Sequence, residues 1–210
     1  MTHILRTPAL PTALAATLVL AACGTSPSAD SPGMNSMTTN APAASGTSAT
    51  GAKNAADVMF ATMMIPHHAQ AIAMADMALK QATDTQVKAL APKIKDAQGP
   101  EIARMSGWLT GWGAPVPSTA GGPDMSGMGG QTDGMMSAQE MTDLGAATGS
   151  AFDRMWLRLM VKHHQGAVAM ARTQLAQGAN PAGKQLAQSI IDSQSMEVAE
   201  MNSILARIPG

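Results

Sequence analysis

Sliding the 210-residue chain along itself by 96 positions superimposes Asp57–Ala75 on Asp153–Ala171 without a gap, and nine of those 19 positions are identical. The identities include Asp57 with Asp153, Met64 with Met160, His67-His68 with His163-His164, and Met74 with Met170. The same offset carries Asp96, Gln98, Glu101, Ala103, Met105 and Leu109 onto Asp192, Gln194, Glu197, Ala199, Met201 and Leu205. Self-similarity at one fixed period over this length is a duplication, so both halves must adopt one local structure.

That local structure is a helical hairpin. Ala, Met, Leu, Gln and Lys dominate the repeated segments and β-branched runs are absent, which agrees with a helical period. The pattern predicts helices over 55–82 and 85–112 in the first half and over 150–177 and 181–208 in the second, with no strand. Short polar turns at Gln81–Thr85 and Gly178–Pro181 make the members of each pair antiparallel neighbours, and a long crossover, 113–137, joins the pairs. The expectation is an all-α four-helix bundle over 54–210, built from two duplicated hairpins, 55–112 and 150–208. Pro66 and Pro100 fall inside expected helices, where each removes a backbone hydrogen bond and invites a kink.

Upstream of the bundle, Arg6 precedes an apolar stretch from Ala9 to Ala22 that is too short for a convincing transmembrane span. It ends in Leu20-Ala21-Ala22-Cys23-Gly24, which resembles a bacterial lipobox. Residues 1–22 therefore read as a lipoprotein signal peptide and Cys23 as the lipidated residue that anchors an exported chain to the cell membrane or outer membrane. Residues 23–53, almost entirely Ser, Thr, Ala, Pro, Gly and Asn, read as a disordered tether, with Met34 and Met37 its large apolar side chains. Cys23 is the one Cys in the chain, so disulfide, zinc-thiolate, iron-sulfur and Cys-nucleophile chemistry are excluded. A net charge of -1, no Tyr and no basic run argue against nucleic acid.

Within the bundle, about 100° of rotation per residue puts Phe60, Met64, His67, Ala71, Met74 and Ala78 on one stripe, with Asp57 and His68 at its edge. On the second helix Leu90, Ala91, Ile94, Gln98, Glu101, Met105 and Leu109 share a face. Burying the amide of Gln98 without a partner costs roughly 2 to 7 kcal/mol, so a facing His or Asp, or a metal ion, is expected to compensate. A lone His beside an apolar seam is ordinarily a hydrogen-bonded structural residue. Here His67, His68, His163 and His164 are four of five His in the chain, and the fifth, His3, lies in the signal peptide, which favours ligation. Adjacent His on a helix point about 100° apart, so a second helix must contribute to any shared ion. Met64 and His68, like Met160 and His164, are four apart and one turn above one another. Met74 and Met170 lie seven beyond His67 and His163. Imidazole with thioether suits Cu(I) or Cu(II) over hard ions. The expected metal ligands are these four His and four Met, with Asp57, Gln98, Glu101, Asp153, Gln194 and Glu197 as supporting groups or further ligands. Met59, Met63, Met77, Met105, Met155 and Met201 read as core filler. In the crossover, Met125, Met128, Met135 and Met136 sit in a Gly-rich setting where packing does not account for them, which makes the loop a candidate accessory site.

The elements Asp57-x-x-Phe60, Met63-Met64-Ile65-Pro66-His67-His68, Ala71-x-Ala73-Met74-Ala75 and Ala97-Gln98-x-x-Glu101-Ile102-x-x-Met105-x-x-Trp108-Leu109 resemble the signature of the bacterial domain of unknown function 305 family. That resemblance implies a ferritin-like four-helix bundle, export and, in some members, periplasmic copper binding associated with metal tolerance. The second copy departs from the signature, with Lys162 in place of the proline and Gln165-Gly166 after the His pair. The expectation is thus a non-catalytic lipoprotein that sequesters or transfers copper, with the membrane and the metal ion as partners and a homo-oligomer or a metallochaperone left open. Two alternatives stand beside it. One is a ferritin-like metal oxidase using Glu101, Glu197, Asp57 and Asp153, although the carboxylate count is low. The other is a metal-free structural or partner-binding bundle held by a buried polar network.

Overall fold

The computed structural model describes residues 51–119 and 134–209. Cys23, Met34, Met37, Met125 and Met128 lie outside the described residues. Five helices follow in order: α1 (Ala55–Gln81), α2 (Thr85–Gly111), α3 (Ala138–Ala146), α4 (Gly149–Gln177) and α5 (Pro181–Leu205). The four long helices start and stop close to where the sequence pattern places them. The short α3, which the repeat does not include, begins at a capping box in which Ser137 and Glu140 satisfy each other's backbone N–H groups. Pro66, Pro92 and Pro100 all lie inside uninterrupted helices, so the prolines expected to be weak points do not break them.

α1 packs on α2, α4 on α5, and α1 on α4, whereas α2 and α5 barely touch. α1 and α4 are therefore the central pair, and their antiparallel register is set by two reciprocal clamps. The Asp57 carboxylate, at the start of α1, accepts the backbone N–H groups of Ala179 (3.0 Å) and Asn180 (3.0 Å) and the Gln174 amide (2.6 Å). It also closes the α1 capping box by accepting Asn54 N–H at 2.8 Å. At the other end Asp153 accepts the backbone N–H groups of Thr83 (3.0 Å) and Asp84 (2.9 Å) and the Thr83 hydroxyl. Each aspartate of one repeat thus fixes the hairpin turn of the other and satisfies turn N–H groups that would otherwise lack partners.

The apolar interior divides into two cores. One gathers Ala71, Leu90, Ala91, Ile94, Trp156, Leu157, Met160 and Met201. The other gathers Ala167, Leu186, Ala187, Ile190, Phe60, Ala61, Met64 and Met105. Moved by 96 positions, each of these residues of the first core lands on one of the second. The halves differ where α3 returns to the bundle. Gln70 holds the backbone of Met136 from both sides, accepting its N–H (2.7 Å) and donating to its carbonyl (2.9 Å). The residue at the matching position of the second repeat is Gly166, and Gly134 seats against it with φ 84°. A Cβ on Gly134 would come within 2.7 Å of the Lys162 carbonyl and 2.9 Å of Gly166 Cα. Met136 is buried in the first core, so packing does account for it, contrary to the expectation for a loop methionine. Met59 departs in the opposite sense: expected in the core, it is 51% exposed.

Two stability effects follow. Burial raises the Asp57 carboxyl, but the hydrogen bonds from Gln174, Asn54, Asn180 and Ala179 outweigh it and hold Asp57 below its ordinary value of 3.8. Its contribution to stability is therefore complete above that value and lost as pH falls through the lower, folded-state value. Asp57→Asn should lower the unfolding free energy at pH 7 by about 1.5–3 kcal/mol per charged hydrogen bond lost, and flatten the acid limb of a urea-denaturation series. Gly134→Ala should destabilise by about 1–3 kcal/mol, because both its φ and its neighbours exclude a side chain, and thermal unfolding would register it.

Candidate metal centre

Between the two apolar cores, halfway along the central helices, lies a polar layer. The offset that relates the cores also relates its members: His67 with His163, His68 with His164, Gln98 with Gln194, and Glu101 with Glu197. All four His and both Gln are buried, with exposures between 0% and 3%. His67 and His163 meet where α1 crosses α4, with ring centroids 3.7 Å apart and planes inclined at 42°. His68 and His164, one residue on, turn outward to α2 and α5. The His68 Nε2 lies 2.7 Å from the Glu101 carboxylate, and the His164 Nε2 lies 2.6 Å from that of Glu197. The facing His supplies a partner for the part-buried acid of the second helix, while the Gln98 amide, for which the sequence pattern also required compensation, has no protein partner.

This arrangement fixes which imidazole nitrogen is available. A carboxylate only accepts, so Nε2 of His68 and of His164 carries the hydrogen, and in the neutral ring the lone pair sits on Nδ1. Both Nδ1 atoms are buried without a protein hydrogen-bond partner, as are both amide atoms of Gln98 and the Gln194 carbonyl oxygen. A carboxylate that orients an imidazole through one nitrogen and leaves the other free is the arrangement found behind metal-ligating His. His163 is held well below the ordinary His value of 6.5, first by burial and then by the neighbouring charges of His67, His164 and His68. A neutral imidazole is the form that ligates. The donor chemistry of the layer therefore fits a soft or borderline ion. Among the described residues, no three His, Asp or Glu side chains are gathered closely enough to hold one as they stand.

The methionines expected to complete the shell occupy the flanks of the layer. Met64 and Met160 are fully buried one turn from His68 and His164, but each belongs to a different apolar core. Met74 is fully buried in the first core, and Met170 lies half-buried at the rim of the second. Asp57 and Asp153 stand ten residues before their His pairs, about 15 Å along the helix, and are engaged in the turn clamps. Sequence reasoning missed the Gln70 staple and its Gly134–Gly166 counterpart. The signal was present in one of the mismatches of the repeat near the His pairs, Gln70 against Gly166.

The neutral state of His163 has a direct consequence for stability. The unfolded chain takes a proton on this imidazole near pH 6.5, whereas the folded chain does so only at lower pH, so stability falls as pH drops below about 6.5. His163→Asn should remove up to about 1.4 kcal/mol per pH unit from that slope between pH 6.5 and 5. Urea midpoints of both proteins across that range provide the check.

The profile described as Domain of unknown function (DUF305) matches residues 57–205. Among curated proteins, none matches the chain. Solved structures are similar to the chain, among them the following. A DUF305 protein of Streptomyces coelicolor described as secreted is 34% identical, with a TM-score of 0.65 over 72% of this chain and 92% of that one. A DUF305 fragment from Deinococcus radiodurans is 33% identical, with a TM-score of 0.64 over 74% of this chain and 98% of its own. CopM in its Cu(II)-bound form is 36% identical, with a TM-score of 0.61 over 71% of this chain and 95% of that one. CopM has also been solved with Cu(I), with Ag and without metal. The helical architecture, the paired His-His elements and these relatives agree over the same stretch of sequence, and the chain belongs to the DUF305 family.

Proposed function

We propose that this protein is an exported, non-catalytic copper-binding bundle, formed by duplication of a helical hairpin and anchored to the membrane through lipidated Cys23, upstream of segment 24–53. It sequesters copper or passes it on. The observation that carries the reading is the pair of buried Nδ1 atoms of His68 and His164, which have no protein hydrogen-bond partner and whose rings are each oriented by a carboxylate, flanking the close contact of His67 with His163. It is supported by the similarity to CopM, solved with Cu(I) and Cu(II), and export by the similarity to the S. coelicolor protein described as secreted.

In this reading His67, His68, His163 and His164 supply nitrogen donors, and Met64, Met160, Met74 and Met170 supply thioethers from the flanks. Glu101 and Glu197 hold two of the imidazoles in position, and the apolar cores on either side keep water from the layer. Copper bound there would be stored as a soft-ligand complex. With Asp57 and Asp153 engaged in the turns, the layer has two carboxylates, fewer than a ferritin-like di-iron oxidase draws on. A metal-free polar network is the second reading, favoured by the two His–Glu pairs that are complete as they stand.

Competition titration of the full chain with Cu(I), Cu(II) and Zn(II) separates the two. Copper should bind tightly and in preference to Zn(II), and replacing all four His by Ala should abolish that binding. Because these His are buried, Glu101→Gln and Glu197→Gln provide a milder pair of variants. Each is expected to weaken copper binding by about 10–100-fold with the helical circular dichroism unchanged. Undiminished copper affinity in the folded His variant would overturn the ligand set and leave the polar network as its explanation.

A further inference from the structure

We propose a second metal site beside the imidazole layer: a thioether-only site for a soft monovalent ion such as Cu(I), formed by Met59 and Met63 together with Met170 from the flank of that layer. These side chains line one cavity of about 380 Å³ between the start of α1 and the end of α4, with Phe60 as part of its wall. Met59 and Met63 stand one helical turn apart on the same face, and Met170 reaches the cavity from the facing helix.

The comparison that distinguishes this cavity from ordinary core is internal. Moved by 96 positions, Met59, Met63 and Met170 become Met155, Leu159 and Met74. In that second set Met74 is covered by Met136 and Leu144, which join its core, whereas Met155 and Leu159 pack against that core and line a surface cavity of their own. Gln81 closes the edge near Met74 by donating to the Gly145 carbonyl, and its counterpart, Gln177, lines the cavity beside Met170 instead. Hydrocarbon from the segment around α3 therefore covers Met74, while among the described residues no such segment covers Met170, and Met59 is 51% exposed.

Composition differs as well. Where the second set has Leu159, this cavity has Met63, so each large aliphatic side chain that lines it ends in a thioether. Packing alone is served by leucine at that position, as the other repeat demonstrates. Neutral sulfur donors select Cu(I) over Zn(II), Mg(II) or Ca(II), and no carboxylate or imidazole lines the cavity to attract a harder ion. A fourth neutral donor is at hand. Gln174, 1% exposed, lines the same cavity, and its carbonyl oxygen has no protein hydrogen-bond partner while its amide donates to Asp57.

The test is a titration of the full chain in detergent with Ag(I), a soft monovalent ion that undergoes no redox change, followed through ¹³C-labelled methionine methyl groups. The methyl signals of Met59, Met63 and Met170 should shift together and saturate at one equivalent, and Zn(II) should leave them in place. The double variant Met59→Leu, Met63→Leu, which leaves Met170 in place, keeps the packing volume and should bind one fewer Ag(I) with unchanged thermal stability. If the three methyls stay in place while other methionines respond, or if the double variant binds as many ions as the parent, the site does not exist. His ring signals in the same titration report the imidazole layer independently, so either site can fail without the other.

Discussion

The close approach of α1 to α4 at His67 and His163 is the constraint around which the rest of this bundle is arranged. Two imidazoles with centroids 3.7 Å apart cannot both carry charge in a buried site, and His163 is accordingly held neutral by burial and by its neighbours. Polar rings in the middle of a helical bundle interrupt the apolar interior, which is why it is split into two cores rather than one. Each core then has to be complete in itself, with its own Trp, Leu, Ile and Met drawn from all four long helices.

The antiparallel register that produces this contact is held far from it. Asp57 and Asp153 each accept backbone N–H groups from the opposite repeat's turn, and a slip of α1 against α4 would break both clamps at once. The same two residues had looked like ligands, because an aspartate at a fixed distance before each His pair is what a carboxylate-rich metal site would also show. Their distance along the helix decides their role. Ten residues of helix put them at the ends of the bundle, while Glu101 and Glu197, from the other helices, reach the imidazoles.

Near-symmetry gives the molecule a built-in control for its own features. Where the two halves agree, as in the His–Glu pairs and the two cores, the interaction belongs to the repeated unit. Where they differ, the cause is α3. Its return needs Gln70 to hold the Met136 backbone and Gly166 to admit Gly134, and it covers Met74 while Met170 and the exposed Met59 stay uncovered. No helix among the described residues is long and apolar enough to cross a membrane.

Much of this architecture was determined by the sequence alone. The 96-residue offset, the helical period, and the caps at Asn54, Asp84 and Asn180 are local properties, and local hydrogen bonding and side-chain entropy suffice to set four helices and two tight turns. Candidate donors were legible for the same reason, since Met64 and His68 or Gln98 and Glu101 share a helix face whatever that helix packs against. Tertiary structure decided which faces meet. It assigned Asp57 and Asp153 to turns rather than to the layer, set His67 against His163 and His68 against Glu101, buried Met136 and left Met59 in solvent. Each of these depends on contacts between residues 33 to 123 positions apart or on what α3 covers, and such contacts are fixed by packing and by the need to satisfy buried polar groups, not by any window of local sequence.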